Sequence, residues 1–135
     1  MNRDEIMAGL AGHAFACHLR NALKTLFQKI RDGDIRAEIL HRDDLCIAFS
    51  DISPQSPTHI LIVPAQPIPR IAEATQEDQA TLGHLLLTAA KLAKKLGISE
   101  SGYRIVINNG PNGGETIPHL HVHLLGGRQL EWPPG

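Results

Sequence analysis

The chain has 135 residues, 42% of them hydrophobic and 20% charged, with a formal net charge of −1 when histidines are neutral. That length suits one domain with a single modest core. The near-zero charge excludes broad electrostatic attraction to nucleic acid or an anionic membrane, and no apolar run has bilayer-spanning length. The first twenty residues carry Asp4, Glu5 and His13 and lack the apolar block of a secretion signal. Cys17 and Cys46 form neither a C-x-x-C pair nor a disulfide framework, so a cytoplasmic location is expected.

In chain order, the first 30 residues are predicted helical, because Phe15, Leu19, Ala22, Leu23, Leu26 and Ile30 recur at helical spacing. Gly9 and Gly12 weaken the earliest part. After a turn at Asp32-Gly33-Asp34, "AEILH" and "LCIAFSD" flank Arg42-Asp43-Asp44 as a hairpin, with Leu45, Ile47, Phe49 and Asp51 on one face. The connection "DISPQSP" leads into the strand "THILIVP", where His59 shares a face with Leu61 and Val63. Thr75, followed by Glu77 and Asp78, starts a long helix that carries Leu82, Leu85, Leu86, Ala89, Leu92, Ala93 and Leu96 and stops at Gly97. "YRIVIN" is a further strand, "NNGPNGG" a turn-rich loop, and "PHLHVHLLGG" the last strand. There are no internal repeats or linkers. Five strands in neighbouring antiparallel pairs, covered by one long helix, make an α+β domain.

The last strand places His119, His121 and His123 on one face, with Leu120, Val122 and Leu124 on the other. One reading is bland: an exposed strand that happens to be rich in histidine. A second is a metal site, in which neighbouring rings, with His59 as a further ligand, converge on zinc. Alternate strand positions stand roughly 6.5–7 Å apart and no carboxylates or thiolates cluster nearby in sequence, which weighs against it. The third is phosphate chemistry. A neutral imidazole is a good nucleophile near pH 7, a second one serves as proton donor, and the adduct waits for water. The preceding "NNGPNGGET" offers backbone N–H groups and the Thr116 hydroxyl to hold phosphoryl oxygens, although such a loop can also be only a tight turn. The third reading is preferred.

These residues resemble the histidine-triad (HIT) family. His119-Leu120-His121-Val122-His123-Leu124-Leu125 matches its His-φ-His-φ-His-φ-φ motif, where φ is apolar. "DISPQSPTHILIVP", "LGH" at 82–84, "GYRIVINNG" and the tail "LLGGRQLEWPPG" are similar to the Hint branch. The likeness covers residues 25–135 and leaves 1–24 as an N-terminal extension. It implies a HIT-like fold, a five-stranded antiparallel sheet with a long helix, an N-terminal helical segment, and a two-fold homodimer.

The resemblance implies roles position by position. His121 would be the nucleophile forming a nucleotidyl-histidine intermediate, and His123 would contact the phosphate and leaving group. His119 would support His121 through its backbone carbonyl, with His59 as a remote fourth histidine. Asp51 would bind the ribose hydroxyls. Leu26, Phe27, Ile30, Ile35, Phe49, Ile52 and Leu61 would wall the base, and Asn108, Gly114 and Thr116 would hold the phosphate. The apolar members are also core candidates in any fold, and Asp51 before Ile52-Ser53-Pro54 is equally a turn-capping residue. Some relatives bind structural zinc through a C-x-x-C pair. Those positions are Thr25 and Gln28 here, so no metal and no cofactor is expected. Thr116 stands where serine is often found, which bears on substrate range. Trp132, before Pro133-Pro134, is expected at the partner subunit's boundary, its alternative being a cap on its own core.

The implied activity is a purine nucleoside phosphoramidase, cleaving adenosine 5'-phosphoramidates of the AMP–NH₂ or AMP–lysine type to AMP and amine. The implied ligands are purine nucleoside monophosphates and their amine conjugates, with no nucleic acid and no membrane. One alternative, with the same nucleophile and pocket, is hydrolysis of dinucleoside polyphosphates or other nucleotide anhydrides. The other is a nucleotide-binding regulatory or scaffold protein, against which the nucleophilic row itself argues.

Overall fold

In a computed structural model, residues 25–135 are described. The extension 1–24, with most of the predicted early helix, lies outside them. Of the span predicted helical, the described residues hold one short helix, α1, Leu26–Arg31, which begins at the extended Thr25 rather than continuing through it. Thr25 starts it with a reciprocal cap: the Gln28 N–H donates to Thr25 Oγ1 (3.1 Å), and the Thr25 N–H to Gln28 Oε1 (2.8 Å). The single long turn turns Phe27 and Ile30 inward.

Five strands follow: β1 (Ile39–Arg42), β2 (Cys46–Ser50), β3 (Thr58–Pro64), β4 (Tyr103–Val106) and β5 (Val122–Gly126). They form one antiparallel sheet in the order β1-β2-β3-β5-β4. A long helix α2, Gln79–Lys95, packs on β3 and β5. Its lead-in is a 3₁₀ turn, Gln76–Asp78, capped reciprocally by Thr75 and Asp78, so the predicted start is displaced by one tight turn. Gly97, at φ +78, ends it.

Strand alternation divides the interior in two. Ala48, Ile60, Ile62, Val122 and Leu124 meet Leu85, Ala89 and Leu92 of α2. Ile47, Phe49, Leu61 and Val63 meet Phe27 and Ile30 of α1 on the other face. β2 and β3 are therefore buried on both sides, which is why their sequences are nearly continuously apolar.

The predicted last strand over 118–127 is shorter in the structure, starting only at Val122. Before it, the Leu120 N–H donates to Ile68 O (2.6 Å) instead of joining β3. His119 thus sits in a bend, its N–H donating to Ile117 O (2.8 Å), His121 just ahead of the strand, and His123 inside the ladder, opposite Leu61. Leu120, Val122 and Leu124 are buried as expected. At the far end, a side chain at Gly126 would lie 2.7 Å from Ile98 Cδ1, so the strand closes tightly under the chain that follows α2.

Candidate active site

His119 is fully buried, and both its ring nitrogens are committed. Its Nε2–H donates to Pro64 O (3.0 Å) at the end of β3, because a carbonyl can only accept. Nδ1 must then be the acceptor, and it takes the Thr25 hydroxyl at 2.8 Å. The residue that caps α1 thereby anchors the first histidine of the row. Sequence reading missed this bond, which spans 94 positions.

A backbone carbonyl fixes the tautomer of His121 as well. Its Nδ1 lies 2.8 Å from its neighbour's carbonyl, His119 O, and so carries the proton. The lone pair of the neutral ring is then on Nε2. Phe27 packs edge-on against both rings, with centroids 5.6 Å from His119 and 4.8 Å from His121. Rotation of the nucleophile candidate is blocked on that side.

His123 is set by a longer chain. The Gln55 N–H donates to His59 Nδ1 (3.0 Å), leaving the His59 proton on Nε2. That proton points to His123 Nδ1 at 2.9 Å, so neutral His123 bears its own proton on Nε2. Nε2 of His123 is buried and has no hydrogen-bond partner, the sole such side-chain atom among the described residues. A buried donor without a partner is costly in a finished fold and suits a ligand oxygen or nitrogen. Burial, reinforced by the neighbouring His121 and His59, lowers the His123 pKa to about 4. Burial also lowers His59, against the opposing charge of Asp51, and lowers His119, against the Pro64 carbonyl.

A cavity of about 280 Å³ opens in front of His121 and His123. Phe27, Ile30, Phe49 and Leu61 form its apolar floor, and Leu26, Ile35 and Ile52 its more exposed rim. Asp51 and Thr116 line it as polar groups. Arg36, Ala37, Ser50 and Ile117 complete the lining; no pattern in the sequence marked them, since their places depend on how the chain folds over α1. A larger open depression of about 510 Å³ runs beside β4 and the tail, but none of the predicted site residues lines it.

Asp51 lines the cavity and also caps the turn that follows it. Oδ1 accepts the Ser53 N–H at 2.8 Å, an Asx turn, while Oδ2 stands 3.5 Å from His59 Nε2. Asp51, His59 and His123 could together hold a metal ion, with one donor atom from each lying within 4.8 Å of the others. A second such group, His41, Asp43, Cys46 and His84, shares no residue with the cavity.

The glycine-rich loop is more self-contained than the sequence suggested. The Gly113 and Glu115 N–H groups donate to Gly110 O, and the Gly114 N–H to Pro111 O. The Gly110 N–H donates to Glu115 Oε1, and Arg70 grips Glu115 through two nitrogens at 2.9 and 3.1 Å. Four amides expected to face an anion are thus spent inside the turn. Asn108 and Gly114 lie outside the cavity lining, whereas the loop delivers Thr116 into it.

The HIT domain model matches residues 32–130. The chain belongs to the HIT family. A HIT-like protein of Synechococcus elongatus is 59% identical over 111 residues, 82% of this chain and 96% of the relative. Purine nucleoside phosphoramidase of Escherichia coli is 47% identical over 109 residues, 81% of this chain and 92% of the relative. Among solved structures, the HIT family hydrolase of Legionella pneumophila superposes with a TM-score of 0.81 at 46% identity, covering 83% of this chain and all of the other. The HIT match spans all five strands and α2 and with them the histidine row, while α1, which brings Leu26, Phe27 and Ile30 to the cavity, precedes the matched span.

Proposed function

We propose that this HIT protein is a nucleotide hydrolase that cleaves adenosine 5'-phosphoramidates to AMP and amine through a nucleotide adduct on His121. The observation that carries the reading is the pair of opposed tautomers beside one apolar cavity. His121 presents an imidazole lone pair at Nε2, and His123 a proton at Nε2. Nucleophilic displacement needs such a combination, an electron pair for phosphorus and a donor for oxygen or for the departing atom. The identity to a purine nucleoside phosphoramidase supports the P–N specificity.

In the first half-reaction, His121 Nε2 bonds to the α-phosphorus as the P–N bond breaks. The departing nitrogen takes up one proton from solvent and leaves as an amine. His123 Nε2–H and the Thr116 hydroxyl donate hydrogen bonds to the reacting group. In the second, water attacks phosphorus, the P–Nε2 bond breaks, AMP leaves and the borrowed proton returns. Phe49, Leu61 and the α1 residues hold the purine, and Asp51 accepts from the ribose hydroxyls. No step passes through a metal. We further infer that the enzyme works as a homodimer in the cytoplasm.

Rapid-quench mass spectrometry with an adenosine phosphoramidate is expected to catch one AMP moiety on the wild-type chain. His121→Ala should lose the adduct and at least ~10³-fold in kcat/KM. Undiminished turnover by that variant refutes the mechanism. A higher kcat/KM for a diadenosine polyphosphate than for the phosphoramidate would assign the same site to anhydrides.

A further inference from the structure

On the opposite side of the sheet from the cavity, Asp43 lies in the β1–β2 turn. Its Oδ1 accepts the backbone N–H groups of Leu45 (2.8 Å) and Cys46 (2.9 Å), which aims Oδ2 at its side-chain neighbours. Three donors converge on Oδ2: His41 Nε2 at 2.6 Å from β1, His84 Nε2 at 2.7 Å from α2, and Cys46 Sγ at 3.7 Å from β2. One donor atom from each of the four residues lies within 4.8 Å of the others.

We propose that His41, Asp43, Cys46 and His84 form a zinc site that clasps the β1–β2 hairpin to α2. Two imidazoles, a carboxylate and a sulfur are a donor set matched to a borderline-soft divalent ion. With metal–ligand bonds of about 2.0–2.3 Å, tetrahedral neighbours stand roughly 3.3–3.7 Å apart. The sulfur–oxygen separation already fits. The two imidazoles stand at hydrogen-bond distance and need to withdraw by roughly 0.7 Å to admit the ion. Simple imidazole–carboxylate hydrogen bonds account for the two histidines, but not for a buried thiol directed to the same oxygen.

The supports are those of a ligand shell. Two amides orient the carboxylate, and Thr88, one turn along α2 from His84, places its hydroxyl 3.8 Å from Sγ as a donor to a thiolate. A cavity of about 140 Å³ lined by Asp43 and Cys46 reaches the cluster. Its two arginines are engaged elsewhere, Arg31 with Asp32 and Ala65 O, and Arg42 with Arg31 O. Binding releases the Cys46 thiol proton to solvent and holds both imidazoles as Nδ1–H tautomers, so thiolate and carboxylate together balance the dication. Positions 25 and 28, on which the expectation of no zinc rested, take no part.

The test is a cobalt titration of the full-length, chelator-treated protein, followed by zinc in thermal melts. One Co²⁺ per chain is expected, with a sulfur-to-cobalt charge-transfer band and strong tetrahedral d–d bands. Zinc should raise the Tm. Cys17→Ala should keep the band and Cys46→Ser should abolish it. His41→Asn and His84→Asn, each removing a partly exposed ligand, should weaken binding at least ~10-fold and shrink the zinc-induced rise in Tm. The proposal is overturned by absence of the band, by its loss in Cys17→Ala or Asp51→Asn, or by unchanged affinity in both histidine variants.

Discussion

Three imidazoles in strict alternation carry three different assignments because each has a different fixed neighbour. A backbone carbonyl takes the Nε2 proton of His119 and another takes the Nδ1 proton of His121, while His59 donates to Nδ1 of His123. The alternation was plain in the sequence; the assignments were not, because Thr25, Gln55 and Pro64 reach the row only through the fold. Keeping His123 neutral has a consequence for stability. The folded His123 titrates at about 4, against about 6.5 in an unfolded chain, so between those values the unfolded chain binds the extra proton. Stability therefore rises with pH across that window, is fully present above it, and is lost as pH falls from about 6.5 towards 4. His59 and His119 are shifted in the same direction. Denaturant midpoints should thus be flat above about pH 7 and fall before the carboxylates titrate. His123→Gln should remove about 1–2 kcal/mol of that fall, allowing for solvent screening at a half-buried ring. An identical slope in the variant would disprove the assignment.

Among the elements, the shortest helix bears most directly on the site. α1 supplies Phe27 to two triad rings, Leu26 and Ile30 to the cavity, and its capping hydroxyl to His119. Thr25→Val keeps the side chain's shape and removes its hydroxyl. It should cost about 1 kcal/mol from the lost cap and about 1–3 kcal/mol from the unpartnered His119 nitrogen. Well below the melting transition, kcat should drop roughly 10-fold with KM little changed, because the loosened backbone carbonyl no longer fixes the His121 ring. Thr25→Ser should restore both, and a kcat that ignores the hydroxyl would exclude this route. Periodicity made α2 and the five strands legible, since each buries a repeating apolar face. It overextended the last strand, because alternation persists through 118–121 although Leu120 bonds to Ile68 rather than to the sheet. It also could not see that the glycine-rich loop spends its amides on itself, a choice made by Glu115 and its distant partner Arg70.

At the scale of the whole molecule, the single chain leaves its tail half used. Arg104 Nη2 donates to Glu131 O at 2.8 Å, and Arg128 donates to Gln55 O, so the tail is tied to β4 and to the loop before β3. Immediately beyond that tie Trp132 is 82% exposed, which disfavours its alternative role as a cap on its own core. β4 is also an edge strand, and Leu87 on α2 is 73% exposed. A large aromatic left in water gains most of its stabilisation only when another surface covers it. If that surface is a second copy, as proposed, the sole tryptophan reports on it directly. Its emission should move to shorter wavelength, and acrylamide quenching should weaken, as protein concentration rises through the dimerisation range measured by sedimentation. Trp132→Ala should leave monomer stability within about 0.5 kcal/mol, as for exposed positions generally. If the partner boundary it covers borders the leaving-group side of that subunit's cavity, the same variant should alter kcat/KM unequally for phosphoramidates with small and bulky amines. A chain that sediments as a monomer at every concentration, with a water-exposed tryptophan and unchanged amine selectivity in the variant, would leave the tail without a role in the reaction.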